Sequence, residues 1–168
     1  MVLKNRRGFT LVETLAVIIL LGVILTIAVP SINNVVGRNN RRRLQEAAEM
    51  FIVLGKQKIQ TDTSIEYPKD DKVVVLYLNS IDIKQLENIV NKNVSFGDSI
   101  LGKKSKVVFS YNSNKWITKF VALYDMKGNA AYLTSEKVVV GKDDNPTLIS
   151  LDKYDCDDNG KGYCYYDE

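Results

Sequence analysis

The chain opens with a long apolar stretch: between residues 9 and 29 only Thr10, Glu13, Thr14 and Thr26 are clearly polar. A helix of that length rises about 31 Å, which matches a bilayer hydrocarbon core of about 30 Å. The stretch therefore predicts a membrane-spanning helix. Three basic and no acidic side chains precede it, a balance typical of an end that stays in the cytoplasm. A second basic cluster follows the helix, so orientation stays open.

A cleaved secretory signal is the alternative interpretation, with residues 15–29 as its apolar core and Ala28 at the cleavage site. Glu13 argues against this alternative, because a carboxylate at mid-bilayer costs on the order of 2.5–3.5 kcal/mol and marks a functional residue. Pro30 also makes a poor cleavage context. A retained helix with a functional carboxylate is the better prediction.

The residues that precede the apolar run have a distinctive order, Arg-Gly-Phe-Thr-Leu-Val-Glu at positions 7–13. This segment resembles the prepilin peptidase signature of the type IV pilin superfamily, in which the leader is removed after the glycine. The resemblance implies cleavage between Gly8 and Phe9, with residues 1–8 as the removed leader. It also implies methylation of the new Phe9 amine by the same peptidase.

The same resemblance assigns Glu13 to subunit registration during assembly. A freed α-amine has a pKa of about 7.7–8.0, so it is mostly cationic at neutral pH and offsets a carboxylate in apolar surroundings. Phe9 and Glu13 are four residues apart and share a helix face, but the partner amine belongs either to the same chain or to the next subunit. A surface carboxylate at the membrane edge is the alternative role. The family also carries a proline at the position of Pro30, where we expect a helix kink or a local opening.

The helix is predicted to continue to residue 62, and its second half is amphipathic. Apolar positions recur there every three to four residues, at Leu44, Ala48, Phe51, Gly55 and Ile59. This stripe is predicted to pack against a folded domain. A basic cluster, residues 38–43, is interpreted as a solvated or inter-subunit salt-bridge face rather than a nucleic-acid site, with Arg42 and Glu46 placed to pair at i,i+4. Contact with anionic lipid head groups before assembly also stays open.

Residues 63–168 are predicted to form a head domain. A turn at residues 67–71 precedes an apolar strand at 73–78, and Asp82 with Gln85 predicts a capped helix through about residue 91. Residues 106–111, 116–124 and 130–134 predict an antiparallel meander, with edge strands at 138–140 and 147–151. The sequence therefore predicts an α+β fold, a long hydrophobic helix packed on an antiparallel sheet.

Two cysteines, Cys156 and Cys164, are spaced for neither a redox pair nor a zinc cage, so one local disulfide outside a reducing cytosol is expected. Between them, Asp155, Asp157 and Asn159 match the first half of a calcium-binding loop, although Tyr166 stands where that loop needs glutamate. A simple hairpin turn is the favoured interpretation, with calcium as the alternative and no other cofactor expected.

The chain has no histidine, which excludes catalytic sets built on that residue, and no acidic pair lies in a catalytic motif. The expected function is therefore non-enzymatic, and the resemblance to type IV pilins implies a pilin-like subunit that is held in the cytoplasmic membrane and then assembled into a surface filament. Its partners would be prepilin peptidase, an inner-membrane assembly platform, lipid, and itself or other pilins, but no nucleic acid. A minor pilin, a pseudopilin of a secretion or DNA-uptake system, and a tethered binding domain remain alternatives.

Overall fold

The protein is described from a computed structural model that covers residues 10–68, 72–81, 84, 86, 104–134, 137–142 and 154–167. The elements in these ranges are α1 (Leu11–Thr61), β1 (Lys72–Tyr77), β2 (Lys106–Asn112), β3 (Lys115–Tyr124), β4 (Asn129–Leu133), β5 (Val138–Lys142) and β6 (Tyr163–Asp167). A short 3₁₀ turn, Leu78–Ser80, follows β1. The predicted α+β class is confirmed.

The chain divides into two compact units, Met1–Asn39 and Asn40–Glu168. The described part of the first unit is the N-terminal portion of α1, which we call the anchor segment. The second unit holds the C-terminal portion of α1 and the whole sheet, and we call it the head unit.

The six strands of the head unit form one antiparallel sheet in the order β5-β4-β3-β2-β1-β6. The predicted meander corresponds to β2, β3 and β4, and the edge strand predicted at 138–140 corresponds to β5. Ser113 and Asn114 both have positive φ in the β2–β3 connection, as the type I′ turn of a two-residue hairpin requires. Strand β6 was not predicted from the sequence; it pairs with β1, with Cys164 opposite Val75, and forms the second edge of the sheet.

Side chains alternate between the two faces of the sheet, and each face has its own apolar core. The predicted stripe on α1 is confirmed, since Leu44, Ala48, Phe51, Gly55 and Ile59 are all buried together with Ala47 and Leu54. This stripe covers one face, where Val74, Leu76, Val107, Phe109, Val121 and Leu123 join it. The opposite face carries residues such as Val75, Phe120 and Tyr154.

Two predicted elements of the head domain lie mostly or wholly outside the described residues. Of the helix expected at residues 82–91, Lys84 and Leu86 are described; both are helical, and Leu86 is fully buried in the core beneath α1. The edge strand expected at 147–151 lies outside the described ranges.

Candidate functional site

The described part of the anchor segment starts at Thr10, so the predicted cleavage and methylation positions, Gly8 and Phe9, lie outside it. Thr10 immediately precedes α1. Its hydroxyl accepts a hydrogen bond from the Glu13 backbone N–H at 3.3 Å. In return, Glu13 Oε2 accepts from the Thr10 backbone N–H at 2.8 Å and from the Thr10 hydroxyl at 2.9 Å.

This reciprocal pair is a capping box, the T-x-x-E arrangement that satisfies otherwise unpaired N–H groups at a helix N-terminus. The sequence pattern for it is visible at residues 10–13, but it was not part of the prediction for Glu13. In the uncleaved chain Glu13 therefore has a local structural role. Near the N-terminus of α1 its negative charge is also favoured by the helix dipole.

The anchor segment presents an apolar surface with no partner in the chain as described. Every leucine, isoleucine and valine from Leu11 to Val36 is between 48% and 82% exposed. A continuous exposed apolar surface of this size is typical of a membrane or protein interaction surface. Among the described residues, α1 is the helix long and apolar enough to cross a membrane by length and composition.

The hydroxyl groups within this apolar surface are satisfied by the helix itself. Thr14 donates to the Leu11 carbonyl at 2.8 Å, and Thr26 donates to the Val23 carbonyl at 2.6 Å. Such back-bonding lets hydroxyl side chains enter an apolar environment without an unpaired donor. These threonines therefore do not weaken the prediction of a membrane-spanning segment. Glu13 is the one charged residue between positions 9 and 29.

Pro30 lies inside α1, which continues through it as helix. The missing proline N–H leaves the carbonyl of the residue four positions earlier without its usual helix partner. One residue on, the Ser31 hydroxyl donates to the Ile27 carbonyl at 3.2 Å. A kink at Pro30 stays a prediction.

The basic cluster at residues 38–43 lies on α1, where Arg38, Arg41 and Arg42 are exposed. Arg42 Nε lies 2.9 Å from Glu46 Oε1, which confirms the predicted i,i+4 pair. That pair is highly exposed, so it contributes at most a few tenths of a kcal/mol. The cluster therefore forms a positively charged surface but contributes little to the stability of the fold.

Cys156 and Cys164 form the expected disulfide in the head unit. It attaches the segment at residues 154–156 to strand β6, so that Tyr154 covers the face of the sheet opposite α1 and stacks on Phe120 at 6.1 Å. The bond therefore holds a C-terminal cover on the second core.

Tyr77 fixes the same segment from strand β1 and was not identified from the sequence. Its hydroxyl donates to the Cys156 carbonyl at 2.8 Å, accepts from the Cys156 N–H at 3.2 Å, and lies 3.2 Å from Asp155 Oδ1. Burial raises the pKa of Tyr77, which further favours the protonated hydroxyl that donates to Cys156. Tyr77 is buried at the end of β1, beside the strand that carries Cys164. Only the structure shows this placement, so nothing in the sequence indicated the role of Tyr77.

A turn lies at residues 158–162, with Asp155 and Asp157 just before it, but residues 154–158 form no strand, so the expected hairpin is not formed. Asp157 Oδ1 accepts from the Asn159 N–H at 3.0 Å, while both carboxylate oxygens of Asp158 accept from backbone N–H groups of Gly160 and Gly162. Asn159 has φ of 48°, in the left-handed region that such turns use. No group of three acidic or cysteine side chains converges as a metal site within the described residues. Calcium binding at Asp155, Asp157 and Asn159 stays a prediction.

Comparison with known proteins identifies the N-terminal part of the chain. Residues 3–29 match the family model described as the prokaryotic N-terminal methylation motif. Neither the curated proteins nor the solved structures gave a match. The matched range includes residues 3–8 of the predicted leader, the capping box and the apolar stretch as far as Val29. The chain therefore carries the signature of type IV pilins and pseudopilins, and it has the features of a membrane-anchored, pilin-like precursor.

Proposed function

We propose that this chain is a structural subunit of a type IV pilus-like surface filament. In this proposal prepilin peptidase removes residues 1–8 and methylates the amine of Phe9. The apolar anchor segment first holds the subunit in the cytoplasmic membrane and then packs against the same segment of neighbouring subunits. The observation that carries the proposal is the coupling of the methylation motif at residues 3–29 to a helix whose apolar side chains have no partner in the chain as described.

A single subunit leaves this apolar surface uncovered, and two environments can cover it. Lipid covers it before assembly, and a bundle of identical helices covers it afterwards. Transfer from one to the other keeps the apolar side chains away from water throughout. The leader is cut on the cytoplasmic side in this scheme, so the helix stays intact for assembly.

The N-terminus of the mature protein tests the processing step. Protein purified from host membranes should begin at Phe9 with one added methyl group, as measured by intact mass and N-terminal sequencing. An intact Met1, or a start near Val29 as for a secretory signal, would reject the proposal. A catalytically inactive peptidase in the same host should leave residues 1–8 attached, which supplies the control.

Glu13 tests the assembly step. Glu13→Ala should abolish incorporation into sheared filaments, because it removes the carboxylate that the Phe9 amine is proposed to meet in apolar surroundings. The capping box supplies a matched control, since Thr10→Ala removes the hydroxyl partner in the cap but keeps the acid. Each variant removes part of the cap, worth about 1 kcal/mol, so a loss caused by the helix cap alone should appear in both variants. Wild-type incorporation of Glu13→Ala would reject the role of Glu13 in assembly, whereas absence of the unmutated chain from filaments would favour a non-polymerising tethered domain.

A further inference from the structure

The head unit has an open cleft beside the C-terminal end of α1, formed by the last turn of the helix and the loop that follows it. Its volume is about 480 Å³, and it is lined by Ile59, Gln60, Asp62, Thr63, Ile65, Glu66 and Tyr67. That volume is within the range of small-ligand sites, and the lining combines an apolar floor with several hydrogen-bonding groups. None of these residues takes part in the proposed cleavage or assembly.

One wall of the cleft is an aromatic ring supported from behind by two others. Tyr67 is 62% exposed, and its ring stacks on Trp116 at 5.7 Å between centroids and contacts Tyr111 at 4.6 Å. Tyr111 and Trp116 face each other across the β2–β3 hairpin at 5.0 Å, and Trp116 packs on the core beneath α1. Tyr67 therefore has a rigid backing and an accessible ring surface at the cleft.

The loop that carries Tyr67 is held in place by two tyrosines of strand β6. The Tyr163 hydroxyl donates to the Ser64 carbonyl at 2.9 Å. The Tyr165 hydroxyl donates to the Glu66 carbonyl at 3.1 Å and accepts from the Glu66 N–H at 2.7 Å. A binding surface fixed in this way loses little conformational freedom when a ligand binds.

The charges at the cleft restrict the class of ligand. Asp62 is engaged by Lys58 at 2.7 Å, which leaves Glu66 as the carboxylate with no side-chain partner among the described residues. An anionic ligand would be repelled by Glu66. An ammonium cage needs several rings that face one point, whereas these three rings contact one another and expose chiefly Tyr67.

We propose that this cleft binds a neutral saccharide. A pyranose has an apolar C–H face, which would stack on the exposed Tyr67 ring, and hydroxyl groups at its edge. Those hydroxyls would donate to the Glu66 carboxylate and exchange hydrogen bonds with the Gln60 amide and the Thr63 hydroxyl. The site would give the head unit a glycan-binding activity that does not depend on leader cleavage or on filament formation.

Trp116 is the single tryptophan of the chain, and its ring stacks on the Tyr67 ring at the cleft. Its fluorescence therefore reports directly on this site. Full-length protein in detergent is screened on an array that pairs each neutral oligosaccharide with its sialylated form. Binding is then measured as the change in Trp116 fluorescence on titration with free neutral disaccharides, lactose and chitobiose included. We expect a saturable change with at least one neutral sugar and weaker binding of its sialylated form.

Three variants locate the site. Tyr67→Ala should weaken binding roughly tenfold or more, the effect of losing one stacked aromatic contact, while Tyr67→Phe should bind within about threefold of wild type. Ile117→Ala is the matched control, because Ile117 is 46% exposed on the same hairpin but points away from the face that Trp116 occupies. Thermal unfolding confirms that each variant folds.

Glu66→Gln examines the charge argument separately. It keeps an acceptor but removes the repulsion, so the preference for neutral over sialylated sugars should shrink. The proposal is wrong if no neutral glycan on the array binds, if sialylated forms bind more tightly, or if Tyr67→Ala and Ile117→Ala have equal affinities. A fluorescence response to choline with none to the sugars would likewise overturn it. These outcomes are independent of the N-terminal processing and filament assays.

Discussion

Gly55 lies where α1 packs on strand β2, and replacing it by alanine should destabilise the head unit. A Cβ at this position would lie 2.9 Å from Phe109 Cε2 and 3.0 Å from both Phe109 Cζ and Val107 Cγ1. Carbon atoms pack best at about 3.5–4.0 Å, so the methyl group would overlap both side chains. Phe109 and Val107 are completely buried, and neither moves without displacing its core neighbours.

The expected magnitude follows from two opposing effects. Adding a methyl group to a packed core costs about 1–3 kcal/mol. Replacing glycine by alanine inside a helix returns about 0.5–1 kcal/mol through backbone entropy. The net change in the free energy of unfolding is therefore a loss centred on about 1 kcal/mol, or about 3–5 °C in Tm for a unit of this size.

A second glycine in the same helix provides the control. Gly37 has no atom within 4 Å of a Cβ built on it, so Gly37→Ala should gain helix propensity without any clash. Thermal unfolding of the full chain in detergent, followed by Trp116 fluorescence, measures both variants. The packing argument is refuted if Gly55→Ala melts at or above the temperature of Gly37→Ala.

Three further perturbations examine the head unit. Reducing the disulfide, which closes a loop of about nine residues, should cost about 2.6 kcal/mol in the free energy of unfolding from denaturant titration, and no change would mean that the C-terminal cover is held by other contacts. Hydrogen bonds from Lys58 and then Ser64 lower the pKa of Asp62 from 3.8 to about 2. The contribution of Asp62 to stability is therefore present above pH 3.8 and is lost as the pH falls toward 2. A carboxyl NMR titration with a midpoint near 3.8 would contradict this. Tyr77→Phe should destabilise by about 1–3 kcal/mol because the Cys156 backbone groups lose their partner, and a change near zero in the same denaturant titration would show that water replaces the hydroxyl.

Local pattern was sufficient to predict α1 and the strands of the meander. The spacing of Leu44, Phe51 and Ile59 indicates one helix face, and the polar segment at residues 112–115 between two strand-forming runs indicates a hairpin, which the structure narrows to a two-residue turn. Both signals involve neighbours in sequence. Once both elements have formed, the apolar face of α1 and one apolar face of the sheet bury each other, so their packing follows from the same pattern.

Strand β6 and the aromatic cleft could not be predicted in this way, because they depend on pairing between distant segments. Tyr163 and Tyr165 follow a turn near the C-terminus, and only their pairing with β1 places their hydroxyls beside the loop after α1. Tyr67 similarly meets Trp116 only after the sheet has formed. Tyr111 and Trp116 are paired directly across the β2–β3 hairpin and so share a face, but no sequence pattern indicates a third ring above them.

The capping box changes how the role of Glu13 must be tested. A carboxylate has about four acceptor sites. The Thr10 N–H and the Thr10 hydroxyl both donate to Glu13 Oε2, so Oε1 remains available to an ammonium group. Cap formation is therefore compatible with the proposed pairing between Glu13 and the Phe9 amine after cleavage. Glu13→Gln separates the two contributions, because glutamine also serves in a capping box but carries no charge.

If charge pairing in apolar surroundings drives registration, Glu13→Gln should fail to assemble as completely as Glu13→Ala, although circular dichroism shows a helix content equal to wild type. If the helix cap is the essential contribution, Glu13→Gln should assemble normally while Thr10→Ala and Glu13→Ala both fail. The charge explanation also predicts that Glu13→Gln subunits remain in the membrane, since a neutral side chain is less costly in lipid than the carboxylate it replaces. Filament yield of Glu13→Gln at the wild-type level would therefore refute registration by charge and leave the cap as the function of this residue.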